Sequence, residues 1–274
     1  MSFRLGKIRV TVLPSFFLVA AVLGGMTADL RTLVVWVAVV FVSVLLHELG
    51  HSAMGLAFGL EPSVLLHGMG GTTSWRSESS DGMSNAVRTL ERSESSDGTS
   101  NAVRTLERSE SSDGTSKRPR GALSPGRSIA ISLAGPCAGF VVGAVVLGLG
   151  AAGAVPRGTI AAMAYRQLLW VNVGWGILNL LPMLPLDGGN VLTQALQGVT
   201  KGHGERPARV ISLVVAGAGG LFAAWVRDWW PALLAGWFAA INWQALQAMR
   251  AREAAPPAPP AGTPSPPDEP QQGA

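Results

Sequence analysis

Two histidines four residues apart with a glutamate directly after the first, His47-Glu48-Leu49-Gly50-His51, are the residues most able to do chemistry in this chain. On a helix the i, i+4 spacing puts both imidazoles on one face, as a tetrahedral metal requires, and leaves the Glu48 carboxylate beside them to take a proton from a metal-activated water. As a bare string the pattern has moderate specificity, because five such residues arise by chance in many soluble helices. Its setting is more telling: the motif lies within VFVSVLLHELGHSAMGLAFGL, the end of the second apolar segment. An ionisable side chain deep in such a segment costs roughly 2.5–3.5 kcal/mol on insertion scales, and a bound cation would offset that for all of them together. The plainer alternative is that these side chains only hydrogen-bond neighbouring helices.

Zinc hydrolases generally take a third protein ligand and leave a fourth position for water. Of the 17 acidic residues, all but Glu48 and Asp187 lie in loops, tails or segment ends. Asp187 sits in NLLPMLPLDGGNVL between apolar runs and is the favoured third ligand. Pro182, Pro185, Gly188 and Gly189 around it are expected to interrupt a helix and leave backbone groups unpaired, which a membrane tolerates only inside protein or beside a wet cavity. The other histidines, His67 and His203, lie in loops and are read as solvent-facing or locally bonded. The single cysteine, Cys137, forms no internal disulfide and is read as packing.

The elements that must position these groups are long and apolar. Hydrophobic residues make up 48% of the 274, gathered in blocks rather than spread periodically, which points to a bilayer. Six stretches are long enough to be spans, at about 10–26, 32–59, 128–150, 160–181, 209–226 and 229–248. The expected fold class is therefore all-α, a polytopic membrane helix bundle, with a small hairpin near the membrane at SVLLHGMGGTTSW. Counted from Thr32 at about 1.5 Å per residue, His47 lies roughly 23 Å along a core about 30 Å thick. With six spans, 17 of the 21 Lys+Arg fall on the side of the N-terminus and 4 on the other, so both termini are expected to be cytoplasmic in a multi-pass cell-membrane protein. The net charge of +4 gathers at segment borders, an arrangement that argues against nucleic acid as a partner. Arg4, Lys7 and Arg9 ahead of an apolar run with Ala28 near its end also resemble a secretory signal peptide; its removal would leave the second segment's orientation unchanged.

Four regions follow. Residues 1–75 hold the first two segments, the HELGH motif and the hairpin. Residues 76–120 hold RSESSDGMSNAVRTLE, repeated at a period of 16 and then in part, with too few apolar residues to repay ordering; a disordered cytoplasmic loop is expected. Residues 121–252 carry segments three to six with NLLPMLPLDGG, and residues 253–274 form a Pro-rich tail expected to be disordered.

HELGH in the second segment together with NLLPMLPLDGG in the fourth resembles the site-2 protease family of intramembrane zinc metalloproteases, peptidase family M50. The likeness covers about 8–70 and 124–200, including VLPSFFLVAAVLG, the GMGG turn and SLAGPCAGF. It implies one Zn2+ held by His47, His51 and Asp187, with Glu48 as catalytic base and Asn179 near the substrate or oxyanion; for Asn179 a helix–helix hydrogen bond is the other reading. Asn190 and Gly139 depart from the residues often found at their positions, and neither is a ligand. The expected function is zinc-dependent cleavage of peptide bonds in or near transmembrane helices of membrane-protein substrates. A non-catalytic substrate trap or chaperone on the same fold, or a metal or ion transporter, are the competing classes. Retention of Glu48, which is not needed to hold a metal, weighs against the first. The scarcity of polar residues in segments one, three, five and six weighs against the second.

Overall fold

A computed structural model describes residues 1–24, 29–75, 123–156, 158–200 and 203–254. The 16-residue repeat and the Pro-rich stretch after residue 254 lie outside the described residues.

The chain is mostly helical, and the helices begin and end where local chemistry dictates. In α2 (Leu30–Ala57), neither Gly nor Pro occurs before Gly50, so the backbone bonds to itself, the only arrangement that leaves no polar group bare in an apolar medium. It stops where the Phe58 N–H bonds back to Met54 and Gly55 and Gly59 takes φ +81°, a left-handed conformation suited to glycine. The next long helix, α3 (Pro125–Ala151), opens with Pro125 in its first turn and the Ser124 hydroxyl accepting from the Arg127 N–H. The fourth apolar stretch divides into α4 (Ile160–Leu169), capped by Thr159, a π-helical turn (Trp170–Gly174) and α5 (Trp175–Asn179). After a turn with a cis Leu184–Pro185 bond come α6 (Asp187–Val199), α7 (Glu205–Trp225) and α8 (Trp229–Ala254).

Of the six stretches read from the sequence, α2, α3 and α7 form single helices long and apolar enough to cross a membrane. The first stretch yields the 11-residue α1 (Pro14–Gly24), and the fourth is split by its π turn. α8 has the length, but its 26 residues end in the charged run MRAREA.

The all-α expectation needs enlarging, because the N-terminal residues form strands. β1 (Ser2–Leu5), β2 (Ile8–Val12), β3 (Pro62–His67) and β4 (Gly70–Trp75) make one sheet in that order. β1 and β2 pair antiparallel, β2 runs parallel to β3 with Val10 opposite Val64, and β3 pairs antiparallel with β4. β-Branched residues at Ile8, Val10, Thr11 and Val12 favour this pleated, half-buried surface, whereas the sequence reading had begun a span at about residue 10. Ile8, Val10, Val12, Phe16, Val64 and Leu66 form a core against Val40, Val44, Leu45, Leu49 and Leu56 of α2. At about 25 cal/mol per Å2, each such side chain contributes on the order of 1.5–3 kcal/mol. Val10 of β2 and Val64 of β3 are sealed from solvent in this core. The same core lays the sheet along the helix that carries His47 and His51.

Candidate metal centre

α2 presents His47 and His51 one turn apart, their ring centroids 4.8 Å apart and nearly perpendicular. The Nε2 atoms lie 3.1 Å from each other. Asp187 Oδ2 comes to 3.0 Å from His47 Nε2 and 3.4 Å from His51 Nε2. Ligand atoms at 2.0–2.1 Å from a tetrahedral ion are about 3.3–3.4 Å apart, so the three donors already stand close to the edges of that tetrahedron. Two imidazoles and a carboxylate are also a donor set that zinc accepts. The residues present therefore fit the ion.

The surroundings fix those donors. His51 Nδ1 lies 2.7 Å from the Ile131 carbonyl of α3; donating there, the ring keeps its proton on Nδ1 and presents the Nε2 lone pair. α3 can come this near because residue 135 is glycine: a β-carbon there would overlap His51 Nε2 and Cε1 and stand 2.7 Å from His47 Nε2. Asp187 is the first residue of α6, at the helix end whose free N–H groups favour a carboxylate. Its approach depends on Gly188, where a β-carbon would collide with the carbonyls of Leu180 and Leu181. His47 and Asp187 keep 18% and 13% of their side-chain surface exposed, so the cluster is not sealed from small molecules.

Glu48 is buried, with a carboxylate oxygen within 4.8 Å of the His47 and His51 nitrogens. The Thr73 hydroxyl of β4 donates to its Oε2 at 2.7 Å. Asn179, the last residue of α5, donates from Nδ2 to Asp187 Oδ2 at 2.7 Å and lies 3.2 Å from His47 Nε2. All five residues singled out from the sequence are thus gathered in one place. His67 and His203 stay apart: His67 faces Thr72 Oγ1 at 3.1 Å, where burial lowers its pKa, and His203 lies beside the Thr200 carbonyl. Cys137 is exposed and takes no part.

Sequence reasoning missed Thr73, which lies in an unremarkable TTSW. It also missed Ser43 and Asn172, whose buried hydrogen bond of 2.8 Å ties α2 to the π turn one helical turn before His47. Ser212 and Asn242 were passed over too, although an amide inside FAAINWQAL carried a signal: polar groups at such positions need partners.

Known proteins resemble this chain in sequence and in fold. The family model for peptidase family M50 matches residues 153–222, which include Asn179 and Asp187. A Synechocystis sp. protein named "Putative zinc metalloprotease sll0528" is 28% identical over 214 residues, 74% of this chain and 44% of its own length. The chain thus spans less than half of that relative. Among solved structures, the site-2 protease from Methanocaldococcus jannaschii superposes with a TM-score of 0.53 at 22% identity, covering 90% of this chain and 94% of the other, and so shares the fold. With the paired histidines and the broken fourth helix, these matches make the chain similar to peptidase family M50 over residues 153–222 and give it the fold of a site-2 protease.

Proposed function

We propose that this protein is a zinc-dependent intramembrane endopeptidase that cuts membrane-protein substrates in or near their transmembrane helices. The observation that carries this reading is the triangle of His47 Nε2, His51 Nε2 and Asp187 Oδ2, with sides of 3.0–3.4 Å, beside the buried Glu48 carboxylate. His47, His51 and Asp187 would hold one zinc ion. Bound there, zinc supplies Lewis acidity, polarising a peptide carbonyl and making a water molecule a stronger acid.

The remaining work falls to side chains of the chain. Glu48 accepts the proton of the attacking water and returns it to the leaving amine, its carboxylate held by the Thr73 hydroxyl at Oε2. Asn179 holds Asp187 through Oδ2, and a direct role toward the oxyanion would require it to exchange that partner. A substrate helix hides its carbonyls in its own hydrogen bonds, so the segment to be cut must unwind first, which favours Gly or Pro near the scissile bond. The chain is read as multi-pass in the cell membrane with both termini cytoplasmic.

Detergent-purified protein and its Glu48→Gln variant, each with its zinc content measured, test the reading on model transmembrane substrates with and without a helix-breaking residue. Cleavage by the wild type, faster on the helix-broken substrate and lost in the variant with zinc retained, is expected. Zinc-loaded wild type that cleaves neither substrate would overturn the reading in favour of a substrate trap or a transporter.

A further inference from the structure

The geometry points to Ser212 and Asn242, from two helices that contribute no residue to the metal cluster, as positioning residues that place Asp187 for the metal. Both side chains are sealed from solvent, on α7 and α8 respectively. Both are aimed at the backbone of one residue, Leu184, in the turn between α5 and α6. The Leu184 N–H donates to Ser212 Oγ at 2.9 Å, and Asn242 Nδ2 donates to the Leu184 carbonyl at 2.7 Å. Each side chain is in turn tied to its own helix, Ser212 Oγ to the Ala208 carbonyl at 2.8 Å and Asn242 Nδ2 to that of Phe238 at 2.8 Å.

The target of this double grip explains its purpose. Leu184 precedes Pro185, whose ring disfavours helical geometry at the residue before it, and it lies outside both α5 and α6, so its N–H and C=O need partners other than helical ones. Three residues later the chain delivers Asp187. Leu186 N–H bonds back to the Met183 carbonyl, and the Gly189 and Asn190 N–H groups bond to the Leu186 carbonyl, so the path from Leu184 to the first turn of α6 is short and held by these bonds. A displacement at Leu184 passes to Asp187 with little slack. Asn242 Oδ1 finds no partner, an uncompensated polar atom in a buried site. Retaining an amide there at that cost fits a side chain kept for where its donor points. Outer partners that orient metal ligands are generally worth 10–100-fold in metal affinity.

The inference rests on Asp187 being a metal ligand and is independent of whether the protein cleaves peptides. Asn242→Leu, similar in size and free of the unpartnered oxygen, and Ser212→Ala are made in the full-length protein. Zinc affinity is measured by chelator competition at fixed pH, and melting temperature with and without zinc. We expect about a tenfold or larger loss of zinc affinity in each variant and a smaller rise in melting temperature on adding zinc. Unchanged zinc affinity, or melting temperatures that fall equally with and without the metal, would mean that the pair only braces the fold, and overturns the inference. Asp187→Ala, measured alongside, separates the two assignments. If it leaves zinc affinity intact, the ligand assignment fails and the inference with it. If it weakens zinc while Asn242→Leu and Ser212→Ala do not, only the positioning role fails.

Discussion

Substituting Gly135 by alanine adds a single carbon to the face of α3 that covers the two histidines. A β-carbon at that position would stand 2.7 Å from His47 Nε2 and closer still to His51 Nε2, against an ordinary separation of about 3.5 Å. Relieving the longer of these contacts alone needs a shift of about 0.8 Å, several times the roughly 0.2 Å by which metal–ligand distances normally vary. The same change favours the helix by about 1 kcal/mol, since alanine is the better helix former, so lost metal cannot be blamed on a weaker α3. Because two ligands are displaced rather than an outer partner, zinc affinity should fall by at least about 100-fold, roughly 2.7 kcal/mol. Gly148→Ala on the same helix meets open space and serves as the control, with full affinity expected. Zinc stoichiometry and chelator competition on both variants decide the matter. A Gly135→Ala protein that binds one zinc as tightly as the wild type would refute the proposed ligand geometry.

Thr73→Val removes the hydroxyl that holds Glu48 while keeping the side chain's shape, and a hydrogen bond to a charged group is worth about 1.5–3 kcal/mol. The expected result is a 10–100-fold lower kcat with KM and zinc content near wild type, and recovery in Thr73→Ser; equal losses in both variants would argue for packing instead. Stripping the metal with a chelator should lower the melting temperature, because His47, His51 and Asp187 are then left crowded without their shared cation, and restoring zinc should reverse the change. An identical melting temperature with and without the metal would count against a site built from these three groups.

The paired histidines, the glutamate and the broken segment with Asp187 were legible in the sequence because each violates an expectation for apolar helices. Ionisable side chains and helix breakers stand out there, and their type and spacing name the chemistry. Thr73, Ser43 and Ser212 do not stand out: a hydroxyl is tolerated almost anywhere in a helix or strand, and only its partner across the fold gives it meaning. The N-terminal strands were misread for a related reason. Val10 to Val12 runs directly into the apolar helix that follows, and a run that short does not separate a buried strand from the start of a span. Pairing with β3, some fifty residues away in sequence, decides it.

That pairing also constrains how the chain threads through a bilayer. β2 and β3 lie side by side and parallel, so under the proposed membrane-spanning reading the chain leaving Val12 has to be back on the same side by Pro62. Between them α2, 28 residues long, has the length for a full crossing, whereas the 11 residues of α1 reach only about 16 Å. For a chain proposed to span the membrane several times, the sheet would close only after everything between Val12 and Pro62 had been inserted and brought back to one side.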